Sequence, residues 1–183
     1  MIIGIVGPIC SGKDVVAEML VSKGFTRLSL ADELREEGVR RSIEITRTNL
    51  QDLGDELRNA EGLACLAKRV RKHIIETEDY VITGFRNPAE VEELMNLEDF
   101  HLIMLGAPLE QRFTRARQRA RERESVDFDD FKKIDERDLG INQPEHGQQN
   151  MACFKLAEKG IMNTGSVEEL RGKVDRLLEE LRG

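Results

Sequence analysis

Ile2 to Val6 is a short apolar, β-branched run that leads directly into Gly7-Pro8-Ile9-Cys10-Ser11-Gly12-Lys13-Asp14. Two glycines and a lysine at this spacing, after a buried-strand pattern and before a helical one, form the signature of a phosphate-binding loop. The glycines let the backbone turn closely. Its N–H groups and the positive end of the next helix dipole then converge on one point, where Lys13 reaches the outer phosphates. The expected nucleotide contacts run from Gly7 through Ile9, Cys10, Ser11 and Gly12 to Lys13, with Asp14 and Val15 in the first helical turn.

The rest of the chain alternates in the way such a loop requires. Strand patterns are expected at Ile2–Val6, Phe25–Leu30, Tyr80–Phe85, Phe100–Leu105 and Gly160–Asn163. Helical patterns lie between them: Asp14–Lys23, Ala31–Arg41, Thr48–Ala60, Leu63 to about Glu76, and Pro88 to about Asn96. An arginine-laden helix opens at Pro108, another covers Asp127–Leu139, and a last one follows Ser166. Asn87 with Glu90, and Ser166 with Glu169, have the spacing of capping boxes. The polar, turn-rich stretch from Asn142 to Asn150 predicts a mobile loop. Strands alternating with helical crossovers imply a doubly wound α/β fold, a parallel sheet of about five strands with helices on both faces and ligands at the carboxyl ends of the strands. The 183 residues are expected to form one domain, 1–183.

Charge narrows the choice of partner. Lys and Arg number 28 against 35 Asp and Glu, a net charge of −7, so the chain lacks the general field that draws proteins onto nucleic-acid polymers or anionic membranes. Its three cysteines, Cys10, Cys65 and Cys153, have no metal-type spacing and suit a reducing, cytoplasmic setting. His73, His101 and His146 show no metal-ligand pattern. Oligomeric state is not legible.

Against that acidic background, six arginines fall within twelve residues: Arg112, Arg115, Arg117, Arg119, Arg121 and Arg123. Beside a phosphate loop they suit an arginine-rich lid over transferring phosphates, where such groups are worth about 10³–10⁵ in rate. A solvated helix face, an RNA-binding strip, or in a switch protein a strip that contacts a partner, would give the same composition. Asp14 stands where serine or threonine usually ligates magnesium. A carboxylate is a hard oxygen donor, so Asp14 is the candidate Mg²⁺ ligand, with helix-dipole compensation as its simpler role.

Gly12-Lys13-Asp14 resembles the loop of certain P-loop small-molecule kinases, including phage deoxynucleoside monophosphate kinases and animal phosphomevalonate kinases. Pro108 to Phe113, Arg115 to Arg119, Asp135-Glu136-Arg137-Asp138 and Ala157 to Ser166 resemble, in order, elements of the dephospho-CoA kinase and nucleoside monophosphate kinase group. That resemblance implies a nucleotide-kinase-like P-loop NTPase using ATP and Mg²⁺, with a lid at about 112–140. It implies phosphate-facing Arg115, Arg119 and Arg121, and an adenine-side turn at Asn163 to Gly165. Thr83-Gly84-Phe85-Arg86 resembles an Asp-Gly-x-Arg element of related archaeal kinases, with Thr83 in place of the acid.

Acceptor-side candidates are Asp32 and Arg35 after the second strand, Arg47 and Arg58 around the third helical segment, and Arg86 at a strand end, with an acceptor segment at about 31–62. The expected activity is phosphoryl transfer to a small phosphorylated acceptor, a nucleoside monophosphate or a dephospho-CoA-like molecule. The alternative is a nucleotide-binding regulator or switch ATPase without a small acceptor.

Overall fold

The computed structural model describes residues 1–75, 77–120 and 127–183; the side chains of Arg47 and Ala120 are also outside the description. Among the described residues five strands, β1 (Ile2–Val6), β2 (Thr26–Ser29), β3 (Tyr80–Thr83), β4 (Phe100–Gly106) and β5 (Lys159–Met162), form one parallel sheet in the order β2-β3-β1-β4-β5. The chain winds from β1 toward β2 and β3 on one side, then crosses to β4 and β5 on the other. The carboxyl end of β1 therefore sits at the switch point where a doubly wound sheet opens a crevice.

Both faces of the sheet are buried, and for that reason its strands read as nearly continuous apolar runs. One face carries Ile3, Ile5, Val81, Ile103 and Leu105 against α1 (Lys13–Val21) and α9 (Val167–Arg182). The other carries Ile2, Val6, Tyr80, Ile82 and Leu102. It is covered by α3 (Arg47–Glu61), α4 (Cys65–Arg71) and α5 (Pro88–Met95), with α2 (Leu30–Arg40) packed on α3 and α4. Each fully buried Leu, Ile or Val side chain stabilises by about 1.5–3 kcal/mol. Gly4 in β1 gives up its side chain to this packing, because a Cβ there would meet Phe100 Cζ at 2.8 Å.

Helix boundaries follow local chemistry. Ser29, Thr46, Asn87, Asp127 and Ser166 each accept a backbone N–H at the start of α2, α3, α5, α7 (Phe128–Leu139) and α9, and both expected capping boxes form. The helix expected from Leu63 to about Glu76 is shorter: α4 ends at Arg71, and the following turn is held by the Tyr80 hydroxyl, which accepts the Ile75 amide at 3.1 Å. Asn142 to Asn150 also differs from expectation. It is docked, and it leads into a helix the sequence pattern did not suggest, α8 (Asn150–Lys155). The Cys153 side of α8 packs into the core, and burial pushes that thiol up to about 12.

Candidate active site

Between β1 and α1 the loop forms without side-chain obstruction. A Cβ at Gly7 would collide with the Leu105 carbonyl oxygen, and one at Gly12, whose φ is +104°, would lie 2.5 Å from Asn163 Nδ2. Cys10 takes a left-handed conformation, φ +58°, uncommon for a residue with a side chain. Gly12 supplies no cap to α1, unlike the five side-chain-capped helices, so the first-turn N–H groups keep no intrahelical partner.

The loop carbonyls are held from outside. Arg112, on α6 (Leu109–Ala120), donates to the Ile9 carbonyl at 3.2 Å and to the Ala107 carbonyl at 3.1 Å. Its guanidinium is fixed in turn by both carboxylate oxygens of Asp135 on α7, at 2.5 and 2.8 Å, in a buried pair. One turn on, Arg115 donates to the carbonyls of Ser11 at 3.2 Å and Asn163 at 2.8 Å, and more weakly to Cys10 at 3.4 Å. Asn163 Nδ2 adds a 2.8 Å bond to the Ser11 carbonyl. Lys13 folds back on the loop, its ammonium donating to the carbonyls of Gly7 and Pro8, both at 2.8 Å. Burial, with the positive charge of Arg86 adding to it, lowers Lys13 to about 7.

A cleft of about 560 Å³ opens beside Lys13. Its polar lining includes Asp14, Arg27, Arg35, Arg86 and Arg119, and Leu30, Leu34, Leu50 and Leu66 give it an apolar side. Arg86 thus shares a cavity with Lys13. Asp14 is ion-paired to Arg27 at 2.9 Å, and Arg27 also bonds Glu18 at 2.9 Å. Asp32 and Arg35 form an exposed pair with each other on α2. Arg58 borders the cleft, but its guanidinium is spent on the protein: Nη2 bonds Asp55 at 2.7 Å, Nε bonds the His146 carbonyl at 2.7 Å, and Nη1 lies 3.4 Å from buried Glu90. Arg58, expected on the acceptor, therefore lines the cleft with its guanidinium engaged by protein groups.

On the far side of the loop a second cavity, about 340 Å³, is bordered by Gly12, Val15, Arg115, Gln118, Asn163 and Gly165. The expected adenine-side turn lines it, and Arg119 borders both cavities. Arg121 lies outside the described residues, as do Glu76 and the Arg47 side chain. Arg123 is likewise outside the description, and the four described arginines of the run divide. Arg112 and Arg115 brace the loop, Arg117 lies over the Phe113 ring at 5.9 Å, and Arg119 faces open space.

Several partners in the site were not legible from spacing. Arg27 holds Asp14, Asp135 fixes Arg112, and Gln51 donates to Asp138 at 3.1 Å. Glu90 is fully buried and accepts the amides of Arg86 (2.7 Å) and Asn87 (3.1 Å), which fixes the strand end carrying Arg86. Burial raises its carboxyl well above the usual range, opposed by Arg58. The capping-box spacing named Glu90 but not this second duty.

The residues present fit both expected ligands. For a nucleotide, the buried Ser11 hydroxyl oxygen has no hydrogen-bond partner and the uncapped α1 amides await one. For Mg²⁺, the donors are hard oxygens, the Asp14 carboxylate and the buried Thr83 hydroxyl, both bordering the cleft. No cluster of three or more His, Cys, Asp or Glu side chains forms among the described residues, so such an ion would depend on phosphate oxygens and water for its remaining ligands.

The sequence profile described as an AAA domain matches residues 3–140. A UPF0200 protein of Methanothrix thermoacetophila is 34% identical, with 98% of this chain and 97% of that protein aligned. A UPF0200/UPF0201 protein of Archaeoglobus fulgidus is 33% identical over 98% of this chain, which spans 55% of that longer relative. Among solved structures, TT1252 from Thermus thermophilus has a TM-score of 0.58 at 26% identity, covering 100% of this chain and 98% of its own. The shikimate kinase of Acinetobacter baumannii scores 0.56 at 17% identity, covering 98% and 93%. The dephospho-CoA kinase of Campylobacter jejuni scores 0.52 at 16%, covering 100% and 98%. The fold is that of the P-loop kinases.

Arg112 is the brace on which the loop most depends. Arg112→Leu should lower unfolding stability by about 3–5 kcal/mol by stranding buried Asp135, and should weaken ATP binding as the Ile9 carbonyl loses its donor. Adding Asp135→Leu to it should restore much of the stability without restoring ATP affinity. Denaturant titration and calorimetry read the two effects separately.

Proposed function

The chain belongs to the AAA-domain family and to the UPF0200 proteins, and we propose that it acts there as an ATP- and Mg²⁺-dependent phosphotransferase. The acceptor is a small phosphorylated molecule, a nucleoside monophosphate or a dephospho-CoA-like compound. The observation that carries this reading is the company Lys13 keeps: the loop lysine shares one cleft with Arg27, Arg35, Arg86 and Arg119. A nucleotide that is only bound or hydrolysed needs one phosphate cradle. Arginines beyond those one phosphate cradle needs suit a second anion in the same cleft.

In this reading residues 1–183 work as one kinase domain, with the 31–62 segment on the acceptor and the 112–140 segment over the phosphates. Lys13 releases the Gly7 and Pro8 carbonyls and turns to the β and γ phosphates, which the loop amides also hold. The Asn163–Gly165 turn and Val15 flank the adenine side. Arg119, bordering both cavities, neutralises charge on the group in transit, with Arg115 and Arg121 beside it. Arg86 and Arg35, helped by Asp32, orient the acceptor phosphate, and Arg58 supports that wall from below. Transfer is in line and needs no covalent enzyme intermediate: a bond forms from acceptor oxygen to the γ phosphorus as the bond from that phosphorus to the β–γ bridging oxygen breaks and ADP leaves; an acceptor phosphate oxygen has no proton to lose, and a hydroxyl acceptor would release its proton to water. Asp14, with Thr83, would hold Mg²⁺, the usual acid and hydroxyl exchanged between the two positions; the ion supplies charge neutralisation between phosphate oxygens.

The assay is ADP production from Mg·ATP with nucleoside monophosphates, deoxynucleoside monophosphates and dephospho-CoA offered singly. One acceptor should stimulate turnover, Lys13→Ala should abolish it, and Asp14→Ser should shift the Mg²⁺ concentration for half-maximal rate. Indifference to every acceptor with ATP binding intact would favour a switch ATPase, and an unchanged Mg²⁺ dependence would remove Asp14 from the metal.

A pH dependence follows from Lys13. Held near 7 in the unliganded loop, it is mostly neutral at pH 8.5, and a polyphosphate alongside draws it back toward the ordinary lysine range near 10.4. ATP binding at pH 8.5 should therefore take up about one proton, falling toward zero at pH 6, and affinity should decline as pH rises above 7. Calorimetry in buffers of different ionisation enthalpy measures the uptake. It should vanish in Lys13→Met.

A further inference from the structure

The segment between α7 and α8 is fastened to the acceptor side of the cleft at three points. Asn87 Nδ2 donates to the Glu145 carbonyl at 2.8 Å, Arg58 Nε to the His146 carbonyl at 2.7 Å, and the Gln149 amide to the Arg86 carbonyl at 2.6 Å. Its entry turn is tight, since a Cβ on Gly140 (φ +92°) would come within 2.8 Å of the Gln148 carbonyl oxygen. Two of the donors, Arg58 and Asn87, are themselves buried, so this is a built attachment.

What the attachment presents is Gln148. The residue is only 6% exposed, yet it borders the cleft that holds Lys13 and Arg86. Its Oε1 is buried and has no hydrogen-bond partner. Buried amide oxygens are nearly always satisfied, and leaving one bare is costly. The same cavity supplies leucines at Leu30, Leu34, Leu50 and Leu66, and arginines at Arg35 and Arg86. An aromatic ring that carries both a hydrogen-bond donor on its edge and a phosphate would use the leucines, the Gln148 oxygen and the arginines together.

We propose, resting on the phosphotransferase reading, that Gln148 is the specificity-determining residue of the acceptor site. Its Oε1 accepts a hydrogen bond from the amino group of the acceptor's nucleobase, so the acceptor is an amino-base nucleoside monophosphate such as AMP or CMP. Arg58, Asn87 and Glu90 are positioning residues. Arg58 and Asn87 hold the segment that carries Gln148, and Glu90 fixes the strand end to which Gln149 is tied.

The test measures calorimetric affinities of AMP against purine riboside monophosphate, and of CMP against UMP, for the full chain and for Gln148→Met and Gln148→Glu. ATP affinity measured in parallel reports that the loop is intact. In at least one pair the amino nucleotide should bind about 10- to 100-fold tighter than its amine-free partner. That ratio should fall to near one in Gln148→Met and survive in Gln148→Glu, which keeps an accepting oxygen; taking the ratio cancels the added charge. No preference in the wild type, a preference that persists in Gln148→Met, or binding of none of the four while another acceptor is phosphorylated would each overturn the assignment and leave the transfer reading standing. A Gln148-dependent preference in a chain that phosphorylates nothing would uphold it and overturn that reading.

Discussion

The site depends on a ring of backbone whose carbonyls are bound on the outside. Ile9, Cys10 and Ser11 point their oxygens toward Arg112, Arg115 and Asn163, which come from more than a hundred residues away in sequence. A short loop between a strand and a helix has no ladder to hold its shape, and its own carbonyls would repel the anion the amides attract. Occupying those carbonyls with guanidinium and amide donors removes the repulsion and fixes the curvature together. Arg112 can serve only because Asp135 receives its remaining charge, so α7 is coupled to a loop it does not touch in sequence.

That bracing explains why an acidic chain carries so dense a run of arginines. Helical spacing places Arg112, Arg115 and Arg119 on one side of α6, facing the loop and the two cavities, with Arg117 turned onto Phe113. Desolvation lowers Arg115 below its ordinary value, and the neighbouring Arg119 charge adds to that strain. A bound polyphosphate would relieve that strain, and in the same way would repay the depressed pKa of Lys13.

The fold was almost wholly legible because both faces of the sheet are buried. Strands such as Tyr80–Thr83 show as unbroken apolar runs, and capping residues such as Asn87 and Ser166 mark helix starts locally. α8 escaped because its six residues are too few to show a period, and its start at Gln149 carries no side-chain cap. The site was legible where chemistry is encoded by spacing, as in Gly7 to Lys13, and opaque where it is made by contact. Nothing local says that Arg58 turns inward to the His146 carbonyl and Glu90, that Arg27 reaches Asp14 across thirteen residues, or that the turn-rich 142–150 stretch is tied to Asn87 and Arg86. Those are tertiary pairings between polar residues whose sequences look like solvated surface.

The central claim is that the cleft passes a phosphoryl group from nucleotide to acceptor and does not merely release it to water. The direct measurement follows the label of γ-labelled ATP with Mg²⁺ and a mixture of nucleoside monophosphates and dephospho-CoA. The account expects the label on one acceptor, one for one with ADP, and neither product with Lys13→Ala. Label appearing only as inorganic phosphate, at a rate indifferent to the mixture, would contradict it.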